Sequence, residues 1–92
     1  MAFFIARVEL YGATVEVYEK LNSALQAVGF NRTITGADGK KFALPTGTYS
    51  GNLDASSGQA NEIIKGIAAQ LHPKMWVLVA ETTGWNGYLA QV

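Results

Sequence analysis

One segment in the middle of the chain constrains the fold most strongly. Gly29 to Tyr49 reads GFNRTITGADGKKFALPTGTY. Its pivot is Asp38-Gly39, a pair that tolerates positive φ at both central positions of a tight turn. The arms on either side carry β-branched and aromatic residues that suit a pleated sheet, namely Thr33, Ile34, Thr35 and Phe42. The segment therefore predicts a β-hairpin.

The third strand of this pattern contains a proline. Pro45 has no N–H, so the strand is an edge, is bulged, or pauses at Leu44 to Gly47 and resumes through Thr48 and Tyr49. A kink followed by resumption is the favoured interpretation. The second strand is predicted over Phe30 to Thr35, and the third is predicted to begin near Lys41.

A strand and a helix precede the hairpin. Phe3 to Tyr11 alternates, with an apolar even-numbered face that should meet helices and an odd-numbered face that is mixed. The following helix has Thr14 as its N-cap and Gly29 just beyond its end. Its apolar positions recur at helical spacing: Val17, Tyr18, Leu21, Ala24, Leu25 and Val28.

A second helix and a final strand follow the hairpin. Ser56-x-x-Gln59 matches a capping box, and His72-Pro73 should close the helix. Met75 to Glu81, MWVLVAE, is continuous enough for a central strand. The turn-rich tail, Thr82 to Val92, is a candidate for a short extra edge strand, with pairing across a dimer as one option.

The resulting order, β-α-β-β-α-β, predicts an α+β fold. Two helices on one face of a four-stranded antiparallel sheet, joined by right-handed crossovers, form the ferredoxin-like sandwich. The 92 residues are expected to form a single domain. This fold serves too many functions to indicate one.

Composition narrows the functional classes. Seven basic and seven acidic residues give zero net charge, so any polyanion must be bound by a local patch. The chain has no cysteine and one histidine, which excludes thiolate chemistry and His-rich metal sites. No cofactor is expected. The opening MAFFIA has no basic residues ahead of it and is interrupted by Arg7, so it predicts neither a signal peptide nor a membrane span, and a cytoplasmic protein is the default.

Three charged residues are the candidate catalytic set. Arg7 and Glu9 lie two residues apart on the first strand, and Arg32 lies on the second. On a sheet face left uncovered by the helices they could converge, with guanidinium groups binding a phosphodiester and the carboxylate acting as a general base. The alternative, an ion pair on a solvated sheet or across a dimer, is the commoner arrangement.

Nucleic-acid contacts are predicted at the only basic patch, formed by Arg32, Lys40 and Lys41. Lysines that flank a turn also serve simply as solubilising residues. Phe3, Tyr11 and Tyr49 would stack on bases if they emerge on the uncovered face, although packing is the commoner role.

The remaining titratable residues have structural explanations. His72 suits a helix C-terminus, where it would cap the helix. Asp38 belongs to the turn, and Asp54 to the loop before the second helix. No spacing gathers Glu9, Asp54 and Glu81 into a metal site.

Four segments together resemble a known family. They are RVELYGA (Arg7 to Ala13), YEKL (Tyr18 to Leu21), GFNRTITGADGKKFALPTGTY (Gly29 to Tyr49) and VLVAETTGW (Val77 to Trp85). As a set they resemble the GhoS-type family of small proteins, the type V antitoxins, also classified as a domain of unknown function. The resemblance covers most of the chain, and its motifs are turns and strand patterns.

The resemblance implies a ferredoxin-like fold, distantly like that of the small CRISPR-associated nucleases. For the founding type it also implies an antitoxin that is a sequence-specific endoribonuclease acting on the messenger RNA of a membrane toxin. Those nucleases place a metal-binding aspartate at the end of the first strand, where Glu9 is the nearest carboxylate here. Cleavage would therefore use the RNA's own 2′-hydroxyl, with Arg7 and Arg32 holding the phosphate and Glu9 accepting a proton.

Two functional hypotheses follow. The first is an RNA-binding protein or endoribonuclease acting on single-stranded RNA through the uncovered sheet face. The second is a non-enzymatic homodimerisation module, in which two sheets meet face to face or the tail completes a partner's sheet. The 49% hydrophobic content, the zero net charge and the Trp-Tyr tail favour the second hypothesis.

Overall fold

A computed structural model describes residues 1–92. The chain forms two helices and five strands in the order β1 (Ala2–Leu10), α1 (Val15–Ala27), β2 (Thr33–Thr35), β3 (Lys41–Ala43), β4 (Thr48–Leu53), α2 (Ser57–Leu71) and β5 (Met75–Glu81). The strands form a three-stranded antiparallel sheet, β4-β1-β5, and a separate antiparallel pair, β2-β3. The predicted α+β class is confirmed. The strands form these two sheets and not the single four-stranded sheet that was predicted.

The central strand, β1, has the two faces that its alternation predicts. Its even-numbered residues, Phe4, Ala6, Val8 and Leu10, are at most 2% exposed and belong to the main core. The core is completed by Leu21 and Leu25 of α1 and by Ala60, Ile64 and Ala68 of α2, together with Phe30 and Tyr49. Both helices therefore cover the even face of β1. The opposite side of the three-stranded sheet is called the outer face below.

The helix ends follow the predicted capping. The Thr14 hydroxyl accepts a hydrogen bond from the Val17 N–H at 3.4 Å at the start of α1, and Gly29 has φ +97° just beyond its end. Ser56 and Gln59 form the complete capping box of α2, with bonds of 3.1 and 2.8 Å. These local signals predicted the ends of both helices correctly. Capping side chains are found there because they bond to backbone groups that a helix leaves unpaired at its ends.

The central hairpin forms, but it leaves the plane of the sheet. Its turn spans Gly36 to Lys40, with Gly39 at φ +83° and the Asp38 carboxylate accepting the Lys40 N–H at 3.0 Å. Only Asn31 pairs with β4, through two backbone bonds of 2.8 and 2.9 Å to Ser50. The predicted strand Phe30 to Thr35 is therefore reduced to this bridge and to β2.

The reason for the departure lies at Ser50 and Pro45. Ser50 is opposite Ile5, so its side chain is on the outer face, yet it is only 5% exposed. Its hydroxyl donates to the Thr33 carbonyl at 2.7 Å, which means that β2 lies against the outer face instead of continuing beside β4. The chain then breaks at Leu44 to Gly47, as the proline predicts, and resumes as β4, which pairs with β1.

Two further strand predictions are corrected. β5 is an edge strand and not a central one, because only β1 pairs with it. The tail forms an isolated bridge to β3 within its own chain, with the Ala43 N–H bonded to Ala90 and the Val92 N–H to Lys41. The extra edge strand thus consists of a single bridge. Neither helix is long and apolar enough to span a lipid bilayer.

Candidate functional site

Arg7 and Glu9 meet on the outer face. Their charged atoms, Nη2 and Oε1, are 3.6 Å apart, and both side chains are half-exposed. A second guanidinium nitrogen of Arg7 donates to the Val8 carbonyl at 2.7 Å. The two side chains lie together because residues i and i+2 of a strand share a face. An exposed pair of this kind contributes about 0 to 1 kcal/mol to stability. Because both side chains are half-exposed, a ligand can reach them.

Arg32 is bonded to the backbone of the kinked segment between β3 and β4. Its Nη2 donates to the Leu44 carbonyl at 2.8 Å and its Nε to the Thr48 carbonyl at 3.2 Å. The guanidinium carbon is 5.7 Å from the centre of the Tyr49 ring, which belongs to the helix side of the sheet. Thr48 is opposite Arg7 in the sheet, so Arg32 reaches the backbone beside Arg7, but no ion pair joins Arg32 to Glu9. Arg32 holds the kinked segment between β3 and β4.

Tyr49 is fully buried. Its hydroxyl donates to the Asn22 side-chain oxygen of α1 at 2.5 Å. Burial raises the pKa of Tyr49 to about 12, although the nearby Arg32 charge acts in the opposite direction. This placement does not fit the prediction that Tyr49 stacks on a nucleobase, because the ring has no exposed surface.

The two lysines after the turn have different surroundings. The Lys40 ammonium is 4.0 Å from the Asp38 carboxylate, and both side chains are exposed. Lys41 stands opposite Thr35 in the hairpin and lines a cleft. Only Lys41 of the predicted basic patch therefore contributes to a concave surface.

The cleft lies where β2 leaves the sheet, between the end of α1, β4, the start of β1 and the hairpin. Its volume is about 690 Å³, and it is called the polar cleft below. Phe3 is its one hydrophobic residue, and Lys41 is its one charged residue. The remaining lining consists of amide and hydroxyl side chains and two glycines: Gln26, Asn31, Thr33, Thr35, Ser50, Asn52, Gly29 and Gly51.

Most lining residues of the polar cleft were missed from the sequence. They come from distant segments and form no local motif, so their meeting depends on the hairpin lying against the outer face. One signal was present: Thr33 and Thr35 flank the buried Ile34, which places both hydroxyls on one side of β2.

His72 has the predicted capping position. It is the C-cap of α2, and its backbone N–H bonds to Ala68 at 3.0 Å. Its Nε2 lies 2.6 Å from the Tyr11 carbonyl oxygen, so the ring links the end of α2 to the end of β1. No group of three or more His, Asp or Glu residues is close enough together to hold a metal ion.

No protein-family model and no curated protein matches the chain. The chemistry of the surface residues is therefore the basis for a function.

Proposed function

We propose that the protein binds single-stranded RNA, with one or two nucleotides held in the polar cleft. The observation that carries the proposal is the lining of the cleft, in which hydrogen-bonding side chains surround one aromatic ring and one ammonium group. A volume of about 690 Å³ falls within the range of small-molecule sites. The GhoS-type resemblance supports RNA as the polymer.

The lining matches the parts of an unpaired nucleotide. Asn31, Asn52 and Gln26 offer amide donors and acceptors of the kind that read base edges. The hydroxyls of Thr33 and Thr35 can bond to a ribose 2′-hydroxyl, which distinguishes RNA from DNA. Phe3 offers a surface on which a base can stack.

Binding of this type depends little on salt. The net charge is zero, and Lys41 is the only cation that lines the cleft. For single-stranded nucleic acid, each neutralised phosphate changes the slope of log K against log salt by about −0.7. A slope near this value is expected, with most of the affinity coming from base and ribose contacts.

We extend the proposal to a ribonuclease step at Arg7 and Glu9. Thr48, which is opposite Arg7, lies two residues along β4 from Ser50 in the cleft wall. An RNA strand leaving the cleft along the outer face would pass the pair. There Glu9 would accept the proton of the attacking 2′-hydroxyl and Arg7 would bind the phosphate. As the 2′-oxygen bonds to phosphorus the P–O5′ bond would break, and the 5′-oxygen would leave with a proton from solvent water, giving a 2′,3′-cyclic phosphate. Arg32 is left out of this step, because two of its five N–H donors hold the Leu44 and Thr48 carbonyls and no ion pair joins it to Glu9.

Fluorescence anisotropy with a short fluorescein-labelled RNA oligonucleotide tests the binding. Lys41→Gln should weaken binding and remove most of the salt dependence. Lys65→Gln makes the same charge change on an exposed position of α2 and should leave the affinity unchanged. The proposal is refuted if wild-type protein binds no RNA at low salt, or if both variants weaken binding equally. Gel analysis of the same RNA tests cleavage separately: wild-type protein should cut the RNA, and Glu9→Gln should not.

A further inference from the structure

A second surface, on the opposite edge of the sheet from the polar cleft, is free. The Tyr11 N–H bonds to the Lys74 carbonyl at 3.0 Å, and the Thr82 N–H bonds to the Phe3 carbonyl at 2.9 Å. In an antiparallel pair such bonds recur at every second residue, so the even-numbered residues of β5 bond to β1. The odd-numbered residues, Met75, Val77, Val79 and Glu81, therefore direct their N–H and C=O groups outward along what is called the β5 edge.

The outer edges of β4 and β3 each carry a bridge to another segment of the chain. Asn31 bonds to Ser50 on the outer edge of β4, and the tail bonds to the outer edge of β3. The β5 edge is seven residues long and carries no proline, and its one charged residue, Glu81 opposite Phe4, is its last residue and is exposed. Long apolar edges without such protection are templates for pairing with another strand.

Exposed apolar side chains accompany the β5 edge. Trp76 is 62% and Leu78 is 71% exposed, and both point to the outer face beside Arg7 and Glu9. On the other side of the sheet, α2 packs on β5 and exposes Ile63. A side chain at Gly66 of this helix would contact nothing within 4 Å, so no packing inside the chain explains this glycine.

We propose that β5 pairs antiparallel with β5 of a second copy of this chain, forming a six-stranded sheet across a two-fold axis. This inference goes beyond the proposed RNA binding and does not depend on it. The tail is already paired within its own chain, so exchange of the tail is not the route to a dimer.

A second copy fits the edge by symmetry. With Val77 on the two-fold axis, Trp76 lies opposite the partner subunit's Leu78, and the reciprocal pair forms on the other side of the axis. These pairs are non-hydrogen-bonded, in which side chains approach most closely, and aromatic-aliphatic pairs of this kind favour association. The antiparallel orientation also places the Lys74 end of one strand near the Glu81 end of the other.

The area of contact predicts a reversible dimer. At roughly 3.3 Å per residue, β5 is about 23 Å long. The molecule is 19 Å through its thinnest dimension. An edge contact of these dimensions buries at most roughly 900 Å² in total, which is in the range of weak, transient interfaces. Pairing would also bring the two α2 helices next to each other, where Gly66 allows close approach.

Sedimentation velocity of RNA-free protein over a concentration series tests this surface. Wild-type protein should pass from monomer to dimer, and Leu78→Lys should weaken the dimer at least tenfold. Val15→Lys is the matched control, because Val15 is 75% exposed on α1, and it should dimerise as wild type does. A protein that stays monomeric, or a dimer that Leu78→Lys does not weaken, would overturn the proposal.

Two more experiments separate edge pairing from other dimers. The Val79 N–H points outward, so Val79→Pro removes no bond to β1 and should prevent pairing. A dimer that persists in Val79→Pro would show that the sheets meet face to face instead. An equimolar mixture of Trp76→Cys and Leu78→Cys proteins should form a disulfide-linked dimer on oxidation, because these two positions form a non-hydrogen-bonded pair and the chain has no other cysteine. Absence of that link would overturn the register with Val77 on the axis.

Discussion

Replacing Arg32 by alanine should destabilise the protein strongly, because the guanidinium supports the break between β3 and β4. The change removes two hydrogen bonds to backbone carbonyls, at 2.8 and 3.2 Å, and the contact with the Tyr49 ring. Hydrogen bonds to charged groups contribute about 1.5 to 3 kcal/mol each when buried, and water compensates part of this at a half-buried site. A cation-π contact adds about 0.5 to 1 kcal/mol.

The expected loss for Arg32→Ala is therefore about 2 to 3 kcal/mol, which in a domain of this size lowers Tm by roughly 10 to 20 °C. Urea unfolding measured by circular dichroism gives the loss as a shift of the midpoint at constant slope. Arg7→Ala is the matched control and should cost less than about 1 kcal/mol, because its ion pair is exposed. A loss below about 0.5 kcal/mol for Arg32→Ala would refute the structural role and restore Arg32 as a candidate for RNA contact.

Two other predictions concern buried positions. The pKa of Tyr49 is raised to about 12, so its contribution to stability is complete below pH 10 and is lost as the pH rises towards 12. Urea unfolding across this range should show a loss of about 3 kcal/mol that is absent in Tyr49→Phe; equal losses in the two proteins would contradict this. Gly51→Ala should cost about 2 to 4 kcal/mol, because its Cβ would overlap the Gly29 carbonyl. A Gly51→Ala protein as stable as wild type would contradict the close packing of Gly51 on Gly29. In the same urea assay the control Gly66→Ala should instead raise the free energy of unfolding of the monomer by about 1 kcal/mol.

The helices and the faces of β1 could be predicted because their signals are local. Thr14, Ser56 and Gln59 act within one helical turn, and alternation along β1 decides which residues face the helices. The position of the hairpin could not be predicted in this way. It depends on contacts between residues that the sequence separates widely, such as the hydrogen bond from Ser50 to Thr33 and the backbone bonds between Asn31 and Ser50.

In the candidate site, too, the features that follow from local geometry could be predicted and those that depend on distant segments could not. Arg7 and Glu9 meet as predicted, because their proximity follows from strand geometry. Arg32 was expected to converge with them, and two of its five N–H donors instead hold carbonyls of the kink after β3, a contact that no local pattern in the sequence predicts. β5 was expected to be central because it is apolar throughout, and composition does not distinguish a buried strand from an exposed edge.

The join between the hairpin and the sheet has a mechanical consequence for the polar cleft. One wall of the cleft belongs to β4, which is anchored in the core, and the other belongs to a two-stranded element attached through Asn31, Thr33 and Arg32. Two-stranded elements have little stability of their own. Movement of the hairpin about these attachments would change the width of the polar cleft, while the packed helices and β1 would stay in place.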